Sequence, residues 1–289
     1  MTGHSLNPST TLLEHDVASR DGEPTRLRTT VRVDELGRGQ PVVFLHGLLG
    51  MNDHWLPVSR ALSERSRCLM IEAPLLELRG EACSVAGVVR LISTVLETIV
   101  GAPAVLVGNS LGGHVAQRIA IERPELCRAL VLAGSSGLFE RTFEKDVQHR
   151  PSREWLTRKI GDLFYDAANM PSDCIDKAFI ELSDRRAARA LVKLGKSAKN
   201  DHMGERLGQI RQPTLLLWGD SDTVTPPQVA EEFHEKLPDS RLVWLDRCGH
   251  APMIERPQEF AVALHAFFDE LGDPPVAPGD DDGEPQEIV

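Results

Sequence analysis

The chain has 289 residues, 41% of them hydrophobic and 26% charged, an ordinary balance for a globular protein long enough to bury a sizeable core. Its net charge of −11 is concentrated at one end, since Gly272 to Val289 holds six acids and no base and leaves −5 for the rest; a nucleic-acid partner is therefore not expected. Five widely spaced cysteines (Cys68, Cys83, Cys127, Cys174 and Cys248) read as reduced thiols, and with no basic, apolar leader in Met1 to Asp16 and no long apolar run the sequence predicts a cytoplasmic protein without a membrane span.

In chain order, residues 1–22 show no clear period and are expected to be a mobile N-terminal segment. Short apolar runs then predict strands at Val42 to Leu45, Cys68 to Ile71, Ala104 to Val107, Ala129 to Leu132, Thr214 to Trp218 and Leu242 to Leu245. Their near-continuous apolar character suggests burial on both faces. Helical spacing fills the intervals, as in Val85, Val88, Val89, Ile92, Leu96 and Ile99, or in Phe260, Leu264, Phe267 and Leu271 behind Pro257. Alternation of this kind predicts an α/β fold, a parallel sheet covered by helices on both faces, built from residues 23–137 and 210–271. Between them, residues 138–209 show no convincing strand over roughly seventy positions, too long for a loop. Leu156, Ile160, Leu163 and Phe164 behind an N-capping Ser152, then Ile175, Phe179 and Leu182, then Ala187, Leu191 and Leu194, predict a helical cap inserted after the strand Ala129 to Leu132. Residues 272–289 have the composition of a disordered acidic tail.

Chemistry concentrates at the strand ends. Gly108-Asn109-Ser110-Leu111-Gly112 follows one predicted strand and opens a helix, the pattern of a nucleophile elbow, in which a serine is held in a strained turn with its hydroxyl exposed. A serine needs a base to take its proton and a carboxylate to orient that base. His250, in Cys248-Gly249-His250-Ala251-Pro252 after the last strand, fits the base. Asp222, in Trp218-Gly219-Asp220-Ser221-Asp222, fits the acid, while Asp220 is expected to hold the turn. Gly134-Ser135-Ser136-Gly137, after the strand Ala129 to Leu132, holds no carboxylate. The oxyanion of acyl transfer needs preorganised N–H donors; Leu111, at the helix start, and Leu48, in His46-Gly47-Leu48-Leu49-Gly50, are the expected oxyanion-hole amides. His46 and His114 read as packing or capping residues. Neither G-x-G-x-x-G, a P-loop lysine, C-x-x-C nor H-E-x-x-H occurs, so no cofactor and no metal are expected.

From about Arg26 to Leu271 the chain resembles the α/β-hydrolase superfamily. The resemblance rests on His46-Gly47 with Gly50 and Trp55, on Gly108 to Gly113, on Gly219-Asp220-Ser221-Asp222 and on Gly249-His250. It implies a mostly parallel, eight-stranded sheet with an inserted cap, and a Ser110, Asp222, His250 triad that works without a cofactor through an acyl-enzyme on Ser110. Gly-Asn-Ser at the elbow is similar to hydrolases that cleave carbon-carbon bonds in ring-fission products, and Arg185 is a candidate for their cap arginine. Ala251-Pro252-Met253, beside the base, instead resembles simple esterases, and Glu72-Ala73-Pro74-Leu75-Leu76 departs from the pattern of many relatives. The expected function is a carboxylesterase for small to medium apolar acyl esters, with small-molecule esters as its partners. The alternatives are a hydrolase of carbon-carbon bonds in vinylogous diketones and a non-catalytic ligand receptor. A serine at position 110 disfavours dehalogenase or epoxide-hydrolase chemistry, which uses aspartate there.

Overall fold

Strands β1 (Asn7–Ala18), β2 (Pro24–Leu36), β3 (Gln40–Leu45), β4 (Ser66–Glu72), β5 (Ala104–Asn109), β6 (Cys127–Ala133), β7 (Thr214–Gly219) and β8 (Ser240–Leu245) form one sheet, in the order β1-β2-β4-β3-β5-β6-β7-β8. The computed structural model describes residues 5–18, 24–141 and 151–272. Pairing is antiparallel from β1 to β2 and from β2 to β4, and parallel throughout the remainder. The apolar runs of the central strands serve two cores at once, because successive side chains of a strand point to opposite faces. Val43 and Leu45 of β3 and Leu106 of β5 enter one core, whereas Val42, Phe44, Val105 and Val107 enter the other.

Helices α1 (Leu56–Leu62), α2 (Val85–Val95) and α3 (Leu111–Glu122) alternate with the first parallel strands. Helices α4 (Arg153–Gly161), α5 (Cys174–Ser183) and α6 (Arg185–Asn200) are inserted between β6 and β7, and α7 (Pro227–Lys236), α8 (Pro252–Glu255) and α9 (Pro257–Leu271) complete the order. Val88 and Ile92 of α2, Val115 of α3 and Phe233 of α7 pack on the first face. Val58 and Leu62 of α1 pack on the second with Phe260, Leu264 and Phe267 of α9. Trp55, fully buried, joins that second core with its ring centroid 5.2 Å from Phe44 and 6.0 Å from Phe260. The inserted helices form a cap in which α4 and α5 share an apolar core, Leu156, Ile160, Ala178 and Leu182, that packs on Leu49 and Leu76 of the strand-end loops, while α6 buries Ala190, Leu194 and Ala198 in the first core of the main sheet. Ser152 caps α4 by accepting a hydrogen bond from the Trp155 amide at 3.2 Å.

The start of the chain differs from expectation. Residues 7–18, expected to be mobile, form β1, which pairs with β2 over its whole length. An edge strand buries one face only, and here few apolar side chains do it: Leu13 is buried and Leu12 is exposed. Polar pairs supply the rest, such as Arg28 Nε to Glu14 Oε1 at 2.9 Å and Ser9 Oγ to the Val33 carbonyl at 3.1 Å. Residues 1–4 and 19–22 of the predicted mobile segment, and residues 273–289 of the predicted acidic tail, lie outside the described residues. All five cysteines are free thiols. Among the described residues, no helix is long and apolar enough to cross a membrane.

One close approach governs the centre of the sheet. A Cβ added at Gly112 would stand 2.2 Å from the Leu45 carbonyl oxygen, and one at Gly108 would stand 2.4 Å from the Gly113 amide nitrogen, so α3 passes over the ends of β3 and β5 without room for a methyl group. Gly195 in α6, by contrast, would meet nothing within 4 Å. Gly112→Ala is therefore expected to destabilise the protein by about 1–3 kcal/mol, while Gly195→Ala stabilises it by about 0.5–1 kcal/mol through helix propensity. Urea unfolding of the two variants checks this, and equal shifts of the same sign would contradict it.

Candidate active site

The reversal of strand order falls at β3, which has β4 on one side and β5 on the other. At such a switch point the connections leave in opposite directions, and a crevice opens beyond the carboxyl ends of the strands. Ser110 sits at that end of β5, between the strand and α3, with φ 52° and ψ −120°. For a residue with a side chain this is a strained conformation, costing on the order of 1–3 kcal/mol, and it persists only where the surroundings enforce it. Main-chain hydrogen bonds enforce it here. The Ser110 amide donates to the Ala133 carbonyl at 3.3 Å, and the Ser110 carbonyl accepts from the Ser136 and His114 amides, each at 3.1 Å.

The neighbouring turn after β3 is closed by the Gly50 amide donating to the Gly47 carbonyl at 3.1 Å. A Cβ on Gly47 would lie 3.1 Å from Ser110 Cβ, so the turn that carries Leu48 lies directly against the serine. Leu111 is the first residue of α3, and its amide has no acceptor one turn earlier in the helix. The turn that carries Leu48 and the first turn of α3 thus flank Ser110. His46 is buried, and its Nδ1 donates to the Gly47 carbonyl at 2.7 Å. Burial pushes its pKa below the ordinary histidine value, so the ring packs as a neutral support of the turn. His114 is fully buried in α3, with Nε2 3.3 Å from Asp201 Oδ2.

Asp222 and His250 meet from the loops after β7 and β8. His250 Nδ1 stands 2.8 Å from Asp222 Oδ2, both side chains being almost completely buried. The other lone pairs of Asp222 are also occupied. Oδ1 accepts from the Val224 amide at 2.8 Å and the Thr225 amide at 2.9 Å, and Oδ2 accepts from Thr225 Oγ1 at 2.8 Å. Asp220 stays in the turn, accepting from Ser221 Oγ at 2.8 Å and from the Cys248 amide at 3.3 Å. Gly134, at φ +50°, runs past the pair so closely that a Cβ would be 3.0 Å from both Asp222 Oδ2 and His250 Nδ1. Burial alone would lower the His250 pKa, but the Asp222 charge and hydrogen bond, with a smaller contribution from Glu140, hold it above the ordinary value of 6.5. Burial alone would likewise raise Asp222, and the His250 charge and hydrogen bond, with the Thr225 bonds, hold it low.

Asn109 connects the two halves of the site. Its Nδ2 donates to the Ala133 carbonyl and to the His250 carbonyl, both at 2.9 Å, and so ties the residue before Ser110 to the main chain of the imidazole. Ser110 Oγ itself faces Ser136 Oγ at 3.5 Å, and Ser136 Oγ donates to Glu140 Oε2 at 2.8 Å. Among the described residues, no hydrogen bond joins Ser110 Oγ to His250. The sequence assigns no role in the site to Ser136, Glu140 or Thr225, and marks Asn109 only as part of the elbow motif. Of these, only Thr225, three residues after Asp222, carries a local signal, the spacing of a side chain that closes a turn. Arg185 is the exposed first residue of α6 and makes no hydrogen bond or ion pair with Ser110, Asp222 or His250. No group of three or more histidine, cysteine, aspartate or glutamate side chains among the described residues is placed to hold a metal ion.

A sequence model of the alpha/beta hydrolase family matches residues 42–263, which spans every strand-end loop just described. The chain belongs to the alpha/beta hydrolase family. Among its curated relatives, the pimeloyl-[acyl-carrier protein] methyl ester esterase of Nitrosomonas europaea is 27% identical over 82% of this chain and 99% of that protein. The 2-hydroxy-6-oxo-6-(2'-aminophenyl)hexa-2,4-dienoic acid hydrolase of Metapseudomonas resinovorans is 25% identical over 83% of this chain and 87% of its own length. Among solved structures, an alpha/beta hydrolase enzyme from the metagenome of lagoon sediments at Mar Chica, Morocco, superposes with a TM-score of 0.68 at 32% identity, covering 83% of this chain and 95% of that one.

The ionisation of this hydrolase's buried pair is directly measurable. The His250 imidazole is expected to titrate above 6.5 in a nitrogen-15 NMR pH series. In Asp222→Asn burial acts with little opposition, and the midpoint is expected to fall below 6.5. A wild-type midpoint at or below 6.5, or no change in the variant, would contradict the pairing.

Proposed function

We propose that this alpha/beta hydrolase is a serine carboxylesterase acting on small to medium, largely apolar acyl esters. The observation that carries the reading is the buried Asp222–His250 pair, joined through Asn109 to a strained Ser110. In the proposed cycle the Ser110 hydroxyl turns from Ser136 toward His250 Nε2, which takes its proton as Oγ attacks the ester carbonyl. Hydrogen bonds at such sites commonly tighten only once substrate is bound. The resulting oxyanion accepts from the Leu48 and Leu111 amides. His250, now an imidazolium stabilised by Asp222, returns the proton to the departing alcohol and leaves an acyl group on Ser110. A water that loses its proton to His250 then releases the acid and restores the serine.

The roof favours an apolar acyl group. Leu49, next to Leu48, and Phe164, next to the Leu163 carbonyl that accepts from the His250 amide, both pack with the cap core. The Nitrosomonas relative, named as an ester hydrolase, supports the reaction class. Hydrolysis of carbon-carbon bonds in vinylogous diketones is the second reading, favoured by the name of the Metapseudomonas relative. Arg185, proposed for that chemistry, has no polar contact with the site, which favours the esterase. A set of site residues complete from nucleophile to oxyanion donors also favours hydrolysis over a receptor that binds without turnover.

A panel of 4-nitrophenyl esters of graded acyl length tests the proposal. Wild-type protein is expected to turn over the shorter members, and folded Ser110→Ala to lose roughly 10^4–10^6-fold in kcat. Undiminished turnover by Ser110→Ala, or faster cleavage of a vinylogous diketone than of any ester, would overturn it.

A further inference from the structure

Glu255, the last residue of α8, is a buried carboxylate whose recorded partners are all N–H donors and none of them cationic. Its Oε2 accepts from the Gly249 amide at 2.6 Å and the Tyr165 amide at 3.1 Å. Its Oε1 accepts from the Tyr165 amide at 3.1 Å, and from the Asp166 amide and Asn169 Nδ2, each at 3.2 Å. The adjacent Arg256 does not neutralise it, since that guanidinium donates to the carbonyls of Asp246, Arg247 and Glu255. A buried charge is tolerated only where its lone pairs are filled, and hydrogen bonds to a charged acceptor are roughly twice as strong as neutral ones. Glu255 is therefore a firm node, and the donors it collects belong to two different parts of the molecule.

One donor, Gly249, immediately precedes His250. The others belong to the cap stretch between α4 and α5, 90 residues away along the chain in the case of Tyr165. The same seam carries three further observations. The His250 amide donates to the Leu163 carbonyl at 2.7 Å. Thr223 Oγ1, next to Asp222, donates to the Asp162 carbonyl at 2.9 Å. A Cβ on Gly249 would stand 2.6 Å from the Leu163 carbonyl oxygen. Both main-chain amides leading into the imidazole, those of Gly249 and His250, thus end on acceptors that the cap provides or shares.

We infer that Glu255 is a positioning residue for His250: one carboxylate fixes the cap stretch 163–169 and the imidazole loop to each other, so that seating of the cap sets the placement of the ring over Ser110. This rests on the reading of Ser110 and His250 as the reacting pair. The charged or titratable groups that act on the ring are Asp222 and Glu140, so Glu255 acts through geometry rather than through its field. When the cap lifts at this seam, the His250 amide loses the Leu163 carbonyl and Glu255 loses its cap-side donors, so the Gly249 amide is held by a carboxylate no longer braced against the cap and the ring is released from its alignment with Asp222. A cap seated by substrate restores that alignment, which couples binding to the strength of the base.

The test compares Glu255→Gln, in which an amide NH2 faces backbone N–H donors, with Asn169→Ala, which removes a single cap-side bond. Four quantities are read: the rate at which a small fluorophosphonate labels the protein, kcat and KM for a short 4-nitrophenyl ester, and the pH at which the acid limb of the labelling rate falls. Thermal stability drops under either a structural or a positioning role and does not separate them. For folded Glu255→Gln, labelling rate and kcat are expected to fall about 10- to 100-fold, the effect of misplacing a catalytic group by a fraction of its contact distance, with KM within about 3-fold and the acid limb moved to lower pH as the Asp222 contact loosens. Asn169→Ala is expected to keep kcat and the acid limb of the wild type. If Glu255→Gln does not fold, Glu255→Asp, which keeps the charge but is too short to reach both sets of donors, is expected to show the same split between kcat and KM. An active wild type with a folded Glu255 variant that keeps its kcat and acid limb would overturn this inference alone. A wild type inert to both phosphonate and esters would overturn the esterase reading and this inference with it.

Discussion

The passage of α3 over the carboxyl ends of β3 and β5 is the constraint on which the remaining geometry depends. It fixes the strand-to-helix turn so tightly that Gly112 lies against the Leu45 carbonyl and Gly108 against the Gly113 amide. A turn that tight puts Ser110 into positive φ and starts α3 at Leu111, whose amide has no acceptor one turn earlier in the helix. It also brings the serine against Gly47, so that the two proposed oxyanion donors, Leu48 and Leu111, come from elements that the sheet register already holds together. The strain at Ser110 is offset by main-chain hydrogen bonds to Ala133, Ser136 and His114, and by a core in which the flanking strand residues are fully buried.

The second requirement is electrostatic. A carboxylate and an imidazole buried together are unfavourable unless each lone pair and proton finds a partner, and Asp222 satisfies this with Val224, Thr225 and His250. The result is a ring held by one edge, with its Nδ1 committed to the carboxylate. Its main chain is held from three directions, by Asn109, Leu163 and, through Gly249, Glu255. Two of these holds reach the cap or a group bonded to it. The cap is thus joined to the imidazole loop by direct hydrogen bonds as well as by the apolar packing of Leu49 and Leu76.

Much of this was legible in the sequence because it is locally encoded. Central strands buried on both faces produce unbroken apolar runs, which mark β3 through β7 within a few residues, and helical spacing marks α4, α5 and α6 within the inserted interval. Ser110 and Asp222 stand out because each lies in a glycine-containing loop directly after such a strand, and His250 because it lies in one after β8, whose apolar run is only partly buried at the far edge of the sheet. β1 was not legible: an edge strand with one buried face, stabilised by Glu14–Arg28 and similar polar pairs, has no apolar period to detect. Asn109, Ser136, Glu140 and Glu255 were missed for a related reason. Their roles lie in hydrogen bonds that span loops far apart in the chain, up to 141 residues for Asn109 and His250, or that depend on a loop's path. Neither residue type nor local spacing announces such a bond.

The central claim is that Ser110 is the nucleophile, with its oxyanion donors and base assembled around it. A crystal structure of the protein after reaction with a phosphonate ester tests this most directly. The account predicts phosphorus bonded to Ser110 Oγ, a phosphonyl oxygen about 2.7–3.1 Å from the Leu48 and Leu111 amides, and His250 Nε2 facing the remaining oxygens. Phosphorus on another residue, or an adduct on Ser110 whose oxygen points away from both amides, would contradict it.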